Sequence, residues 1–259
     1  MGLTNEQLER YSRNIMLKQV GIKGQEKLLS SKVLVIGAGG LGAPAITYLA
    51  ATGVGTIGVA DKDKVELSNL NRQIIHNTSN LAKDKTLSAK ETINKLNPDV
   101  KINVHNGLIS AENITELIAI YDFVIDATDN FETKFLINDA CVVSKKPFSH
   151  AGVVGFQGQL MTYVPDKSCC YRCIFKEPPP KDCVATCSQA GILGAAAGII
   201  GTLQATEAVK YLLGIGELLT GFLLTYDALT TEFRKIKLPG RNETCPVCGK
   251  HSAIKKLPL

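Results

Sequence analysis

A run of six residues, Gly37-Ala38-Gly39-Gly40-Leu41-Gly42, follows an apolar segment at residues 32–36 and precedes small residues up to about residue 51. It satisfies the pattern G-x-G-x-x-G between a strand and a helix. The glycines permit a tight turn and bring backbone N–H groups at the helix start close to a phosphate. A second strand, residues 55–60, runs into Asp61, 19 residues after Gly42, where a carboxylate can accept hydrogen bonds from ribose hydroxyls. A tight turn without a ligand is the plain alternative; the strand–turn–helix setting favours a nucleotide.

The pattern continues to alternate. Residues 85–96, 113–120 and 132–144 read as helices, and residues 101–105, 123–126 and 147–151 as strands. This predicts an α/β fold with a Rossmann-like doubly wound sheet, parallel in the N-terminal part. After Gly152, the segments 159–164, 222–226 and 231–237 read as strands joined by turns, so antiparallel strands are added in the C-terminal part. Residues 4–19, opened by the capping box Thr4-x-x-Gln7, read as one helix. No linker divides the chain. We expect a single domain over residues 1–259, with nucleotide binding in about residues 30–150 and other functions in about residues 151–259.

A net charge of +5 without a cluster of five basic residues gives a nucleic-acid role little support. The uncharged stretch 190–205 is shorter than the ~20 residues a membrane span needs and is followed by Glu207 and Lys210. It reads as a buried helix, from about residue 188 to 213, of a cytoplasmic protein, with Gly191, Gly194, Gly198 and Gly201 near one side for close packing. Nothing at the N-terminus has the make-up of a signal peptide.

The glycine run alone would favour NAD. The segment Ser68-Asn69-Leu70-Asn71-Arg72-Gln73, and Lys85 beyond it, supply amides and two cations. Cations aimed at phosphates serve phosphoryl or nucleotidyl transfer and have no use in hydride transfer. Asp129 comes just after a strand end, where ligands of open α/β sheets gather and where a carboxylate can hold Mg²⁺. Each charge taken singly could be a solvated surface residue; their order after one loop favours a site.

Eight cysteines without a secretion signal read as metal ligands or reactive thiols. Cys170/Cys173 and Cys245/Cys248 form two Cys-x-x-Cys pairs, suited to tetrahedral zinc, with redox use of either pair as the alternative. Cys141 reads as core. Cys187 would have a lowered pKa if it sits at a helix start, although a small buried residue explains it as well; Cys183 has less support. His76, His105, His150 and His251 show no metal spacing.

The ordered set from residues 37–42 through Asp61, residues 68–73 and Ala127-Thr128-Asp129-Asn130 resembles the MoeB/ThiF/HesA family, bacterial relatives of ubiquitin-activating enzymes. Cys170-Tyr171-Arg172-Cys173, Gly201-Thr202-Leu203-Gln204-Ala205 and Cys245-Pro246-Val247-Cys248-Gly249 extend the resemblance over nearly the whole chain. It implies adenylylation, with ATP, of the C-terminal glycine of a ubiquitin-like sulfur-carrier protein ending in Gly-Gly. The carrier would serve molybdopterin synthase or, alternatively, thiamin thiazole synthesis.

By this resemblance Gly37, Gly39, Gly40, Gly42, Asp61, Asn69, Arg72 and Lys85 hold ATP, and Asp129 positions Mg²⁺. Arg13 reaches the partner's ATP across a homodimer. Cys170, Cys173, Cys245 and Cys248 form a structural Zn²⁺ site, and Cys187 is a possible thioester thiol. Where the family has Gly and Pro beside its lysine, this chain reads Leu81-Ala82-Lys83-Asp84-Lys85. Lys85 fits the register, with Lys83 as the second choice. The chain has no room for a fused rhodanese domain, so the resemblance implies a separate sulfurtransferase or cysteine desulfurase.

Overall fold

The computed structural model describes residues 2–180 and 190–254. Among these residues one sheet of eight strands runs through the chain, in the order β3-β2-β1-β4-β5-β6-β7-β8. The strands are β1 (Lys32–Ile36), β2 (Thr56–Asp61), β3 (Lys101–Asn106), β4 (Phe123–Asp126), β5 (Phe148–Val154), β6 (Gln157–Tyr163), β7 (Phe222–Asp227) and β8 (Glu232–Lys237). The pairs β1–β2, β2–β3, β1–β4 and β4–β5 are parallel, and the pairs from β5 to β8 are antiparallel.

The N-terminal segment departs from expectation. The capping box at Thr4 and Gln7 forms, but α1 ends at Arg10 (Asn5–Arg10), and α2 restarts at Ser12 (Ser12–Ile15). Tyr11 breaks the helix because its side chain turns inward. It is 1% exposed, and its hydroxyl accepts a hydrogen bond from Asn97 Nδ2 at 2.9 Å. The helix α3 (Gly21–Ser30) was not expected, since Gly21 and Gly24 mask its period.

Both faces of the parallel part are covered, and the strand sequences show why. In β1, Val33 and Val35 pack on one face and Leu34 and Ile36 on the other, all buried. The first face meets α4 (Gly42–Thr52), α5 (Lys85–Leu96) and the long α9 (Gly194–Leu213). The second meets α6 (Ile114–Ala119) and α7 (Phe131–Val143), and a short α8 (Tyr171–Ile174) carries Cys173. In α9, Ala196, Ile200, Ala205 and Ala208 are buried, as expected of the small-residue segment, but the helix starts at Gly194 and not near residue 188, leaving Gly191 (φ +73°) outside it. Gly201 lies against the Leu41 carbonyl just before α4. No helix among the described residues is long and apolar enough to cross a membrane.

Strand β5 carries the change from parallel to antiparallel. Phe148–His150 pair with β4, and the strand continues through Val154 before Gly155-Phe156 turn it back into β6. Gly155 has φ +60°, which suits a two-residue hairpin loop.

Candidate functional site

The chain leaves β1 toward β2 on one side of the sheet and returns to β4 on the other. Ligands of open α/β sheets bind at such a switch point, outside the carboxyl ends of the two strands. Here those ends touch. Gly37 has φ +100°, and a Cβ on it would lie 2.6 Å from the Ala127 carbonyl oxygen. A Cβ on Gly42 would collide with the Gly37 carbonyl, so these two glycines are needed to fold the turn at all. Gly39 and Gly40 line a cavity of about 1150 Å³ above it.

Hydrogen bonds hold this loop from several sides. Gly37 N–H donates to Ala60 O at 2.7 Å, and Ala38 N–H donates to Asp61 Oδ2 at 2.7 Å. Asp61 Oδ1 also accepts the Asp63 N–H at 2.8 Å. The N–H groups of Gly39, Gly40, Leu41 and Gly42 have no partner among the described residues. Free amides at the start of α4 make a ready anion site.

Around this nest stand the cations. Arg72 and Lys85 both line the cavity. Arg72 Nη1 donates to Ser68 O and to Asn71 Oδ1, each at 3.0 Å, which leaves the rest of the guanidinium unpaired. Lys85, the first residue of α5 and 6% exposed, lies 3.2 Å from Asp63 Oδ2. Lys83 instead points to Glu91 at 2.8 Å and does not line the cavity. The neighbouring Ala82 has φ +63°, a left-handed backbone that glycine adopts more readily.

Asp129 lines the cavity, is exposed, and makes no hydrogen bond or ion pair among the described residues. Asn69 is placed otherwise: it is buried, lies outside the cavity lining, and its Oδ1 accepts the Glu66 N–H at 3.1 Å. Gln73, next to Arg72, lines the cavity with a buried Oε1 that has no partner. Arg13 is exposed and away from the cavity of its own chain.

The cavity floor holds a network that the sequence did not reveal. Asp126 is fully buried at the end of β4. Its Oδ2 lies 2.7 Å from His150 Nδ1 and 3.5 Å from Lys134 Nζ, and its Oδ1 accepts the Thr128 hydroxyl and N–H. Burial by itself would raise the Asp126 pKa; Lys134, His150 and Thr128 outweigh it and hold the carboxyl far below the usual range. Burial, then the Lys134 charge, lowers His150, so its ring is neutral with Nδ1–H donated to Asp126. His150 Nε2 is buried without a partner, and the ring lies 4.2 Å from that of Tyr171. The available signal was strand register, which sets Asp126 beside His150.

The paired cysteines converge. The four Sγ atoms of Cys170, Cys173, Cys245 and Cys248 lie within 4.8 Å of one another, with 3.9 Å for Cys170–Cys173, 3.6 Å for Cys170–Cys245 and 3.3 Å for Cys173–Cys248. Four thiolates at about 2.3 Å from a tetrahedral zinc stand roughly 3.8 Å apart. The cluster could therefore hold a metal ion. Cys169 stays outside it, and burial, with Cys173 adding to it, pushes its thiol up to about 11. Cys141 is core, as expected. Cys183 and Cys187 lie outside the described residues.

Comparison with known proteins agrees with this geometry. The chain is 44% identical over 262 residues to a sulfur carrier protein adenylyltransferase of Thermus thermophilus, covering 99% of this chain and 96% of that protein. It is 43% identical over 255 residues to the adenylyltransferase and sulfurtransferase MOCS3 of Culex quinquefasciatus; this covers 98% of the chain but only 58% of that relative. A crystal structure of E. coli MccB with ATP superposes with a TM-score of 0.80 at 25% identity, over 93% of this chain and 73% of that one. A second MccB structure, with MccA-N7isoASN, gives 0.82 at 24% identity over 93% and 75%, and speaks for the fold alone. The ThiF family matches residues 11–247, from the buried Tyr11 to Val247 between the last two cysteines, and the chain belongs to that family.

Proposed function

We propose that this protein adenylylates the C-terminal glycine of a ubiquitin-like sulfur-carrier protein ending in Gly-Gly, using ATP and releasing pyrophosphate. The observation that carries the reading is that Gly39, Gly40 and Leu41, whose N–H groups are unpaired among the described residues, line the same cavity as Arg72, Lys85 and Asp129. The names of the Thermus and Culex relatives support it, as does the ATP in the similar MccB structure.

The carrier's carboxylate attacks the α-phosphorus; a P–O bond forms, the bond to pyrophosphate breaks, and an acyl-adenylate results. No general base is required, because a terminal carboxylate is ionised at neutral pH. The loop amides bind the phosphates, Lys85 and Arg72 stabilise the charge that develops on the transferring group, and Asp61 accepts from the ribose. Asp129, unpaired and exposed to the cavity, is suited to hold Mg²⁺, which would screen pyrophosphate charge. The cavity is larger than the 300–1,000 Å³ typical of small-ligand pockets, which leaves space for a peptide tail beside the nucleotide.

The same reading assigns the remaining roles. Zinc occupies the four-cysteine cluster as a structural ion. Arg13, turned away from its own cavity, acts in the partner's site of a homodimer. Cys187 serves as a thiol in any thioester step, with sulfur supplied by a separate sulfurtransferase or cysteine desulfurase. The chain forms one adenylyltransferase domain whose carrier-binding part begins near residue 151.

Carrier-dependent ATP–pyrophosphate exchange tests the reaction. Exchange is expected with the native protein and should be lost in Asp129→Ala; unchanged exchange in that variant would sink the assignment. Offering purified carriers tests the substrate. We take the molybdopterin-synthase carrier as the preferred one, and adenylylation of the thiamin carrier in its place would redirect the pathway while keeping the chemistry.

A further inference from the structure

The loop that faces the phosphates is held at its tip by a histidine no nearer the chemistry than the far side of a peptide bond. His76 is 6% exposed, in the segment between Arg72 and α5. Its Nε2 lies 3.0 Å from the Ala38 carbonyl oxygen, and its Nδ1 lies 2.9 Å from Ser88 Oγ, in α5. We propose that His76 is a positioning residue that fixes the orientation of the Ala38–Gly39 peptide, so that the Gly39 N–H is presented to a phosphate before any ligand arrives.

A carbonyl can only accept, so Nε2 must carry the proton toward Ala38. Burial lowers the His76 pKa, offset in part by that hydrogen bond, and the ring is neutral. Nδ1 is then an acceptor, and the Ser88 hydroxyl donates to it. Ala38 is thereby gripped twice, by Asp61 at its N–H and by His76 at its C=O. In a trans peptide C=O and N–H point in opposite directions. With the carbonyl turned to His76, the Gly39 N–H points away from it, and that N–H has no partner among the described residues. The chain Ser88–His76–Ala38 also couples α5, which begins with Lys85, to the glycine loop. Loop amides and lysine are thus set relative to each other by one imidazole.

The proposal rests on the nucleotide reading of the cavity, and the experiment separates the two. Calorimetric titration of the full-length protein with ATP and, separately, adenosine compares the native chain with His76→Leu and His76→Gln. Native protein should bind both. His76→Leu, which cannot donate, should lose about tenfold in ATP affinity with adenosine binding unchanged, since only phosphates meet the loop amides. His76→Gln retains an N–H donor and should recover most of the loss. Rescue and selectivity for the phosphates are what a merely packing role would not give.

Should His76→Leu fail to fold, Ser88→Ala removes the Nδ1 donor in a milder way and should weaken ATP about two- to fivefold, again sparing adenosine. Folded variants that bind ATP as the native protein does, or that lose ATP and adenosine equally, would overturn the role of His76 alone. Native protein that binds no ATP would overturn the nucleotide reading itself, and this role with it.

Discussion

Lys85 Nζ lies 3.2 Å from Asp63 Oδ2, but the two partners are unequal: the lysine side chain is 7% exposed and the carboxylate 55%. On the proposed reading the buried lysine is the member that meets a phosphate, and the exposed carboxylate returns to water. Lys85→Ala should therefore lower the rate of carrier-dependent pyrophosphate exchange by about 10²–10³-fold, the scale for losing one preorganised electrostatic contact. Lys83→Ala, which removes only the pair with Glu91, should leave the rate within about twofold. Equal losses in both variants would remove the special role given to Lys85.

The buried histidines give stability a pH dependence whose sign is fixed. Burial lowers His76 and His150, so below the ordinary histidine pKa of about 6.5 the unfolded chain takes up protons that the folded one refuses. Stability should fall as pH drops from about 7 to 5. Asp126, depressed in the folded state, adds a second loss below about pH 4, because the unfolded chain protonates first. Urea unfolding midpoints from pH 8 to 2, at constant zinc, should trace both phases. His150→Leu should flatten the upper one, and a midpoint independent of pH between 7 and 5 would contradict this account.

Removal of metal should be felt throughout the C-terminal part. Cys170 and Cys245 belong to the same buried cluster as Tyr163, Phe148 and Val124, so the four-thiol group is continuous with the core. Metal analysis should return one zinc per chain. Chelation should lower the melting temperature by about 10 °C or more, at roughly 2–4 °C per kcal/mol for a chain of this size. Metal-free native protein with an unchanged melting curve on chelation would rule out a structural ion there.

Ala82 offers a change in the opposite direction. A left-handed alanine costs about 1–2 kcal/mol, of which glycine would return part after its own entropic loss of roughly 0.5–1 kcal/mol. Ala82→Gly should raise the melting temperature by about 1–4 °C. A lower value would mean that the loop between Val65 and Asp84 is not under this strain.

Much of the frame was legible because its signals are local. The glycine run, the alternation of strands and helices and the cysteine spacing each sit in a few consecutive residues, and they led to β1, α4, α5, β4 and the four-thiol cluster. The hidden features depend on residues far apart in sequence. Tyr11 interrupts a helix because of a partner 86 residues away. His150 matters because parallel register sets it beside Asp126, and no spacing rule marks that pair. His76 shows no metal spacing in the sequence, and its tie to Ala38 appears only once the loop has folded back. Asn69 carried a motif signal, yet its side chain is occupied in closing a local turn.

Strand β8 ends the sheet, and every one of its residues is exposed. An open edge of this kind invites lateral growth by another chain, which natural proteins oppose with charge. Here Arg234 pairs with Glu232, and Lys235 lies 4.1 Å from the centre of the Phe222 ring. Glu232 and Arg234 also line the cavity. The residues that discourage an unwanted strand from zipping onto the sheet therefore also lend their charges to the lining of the cavity.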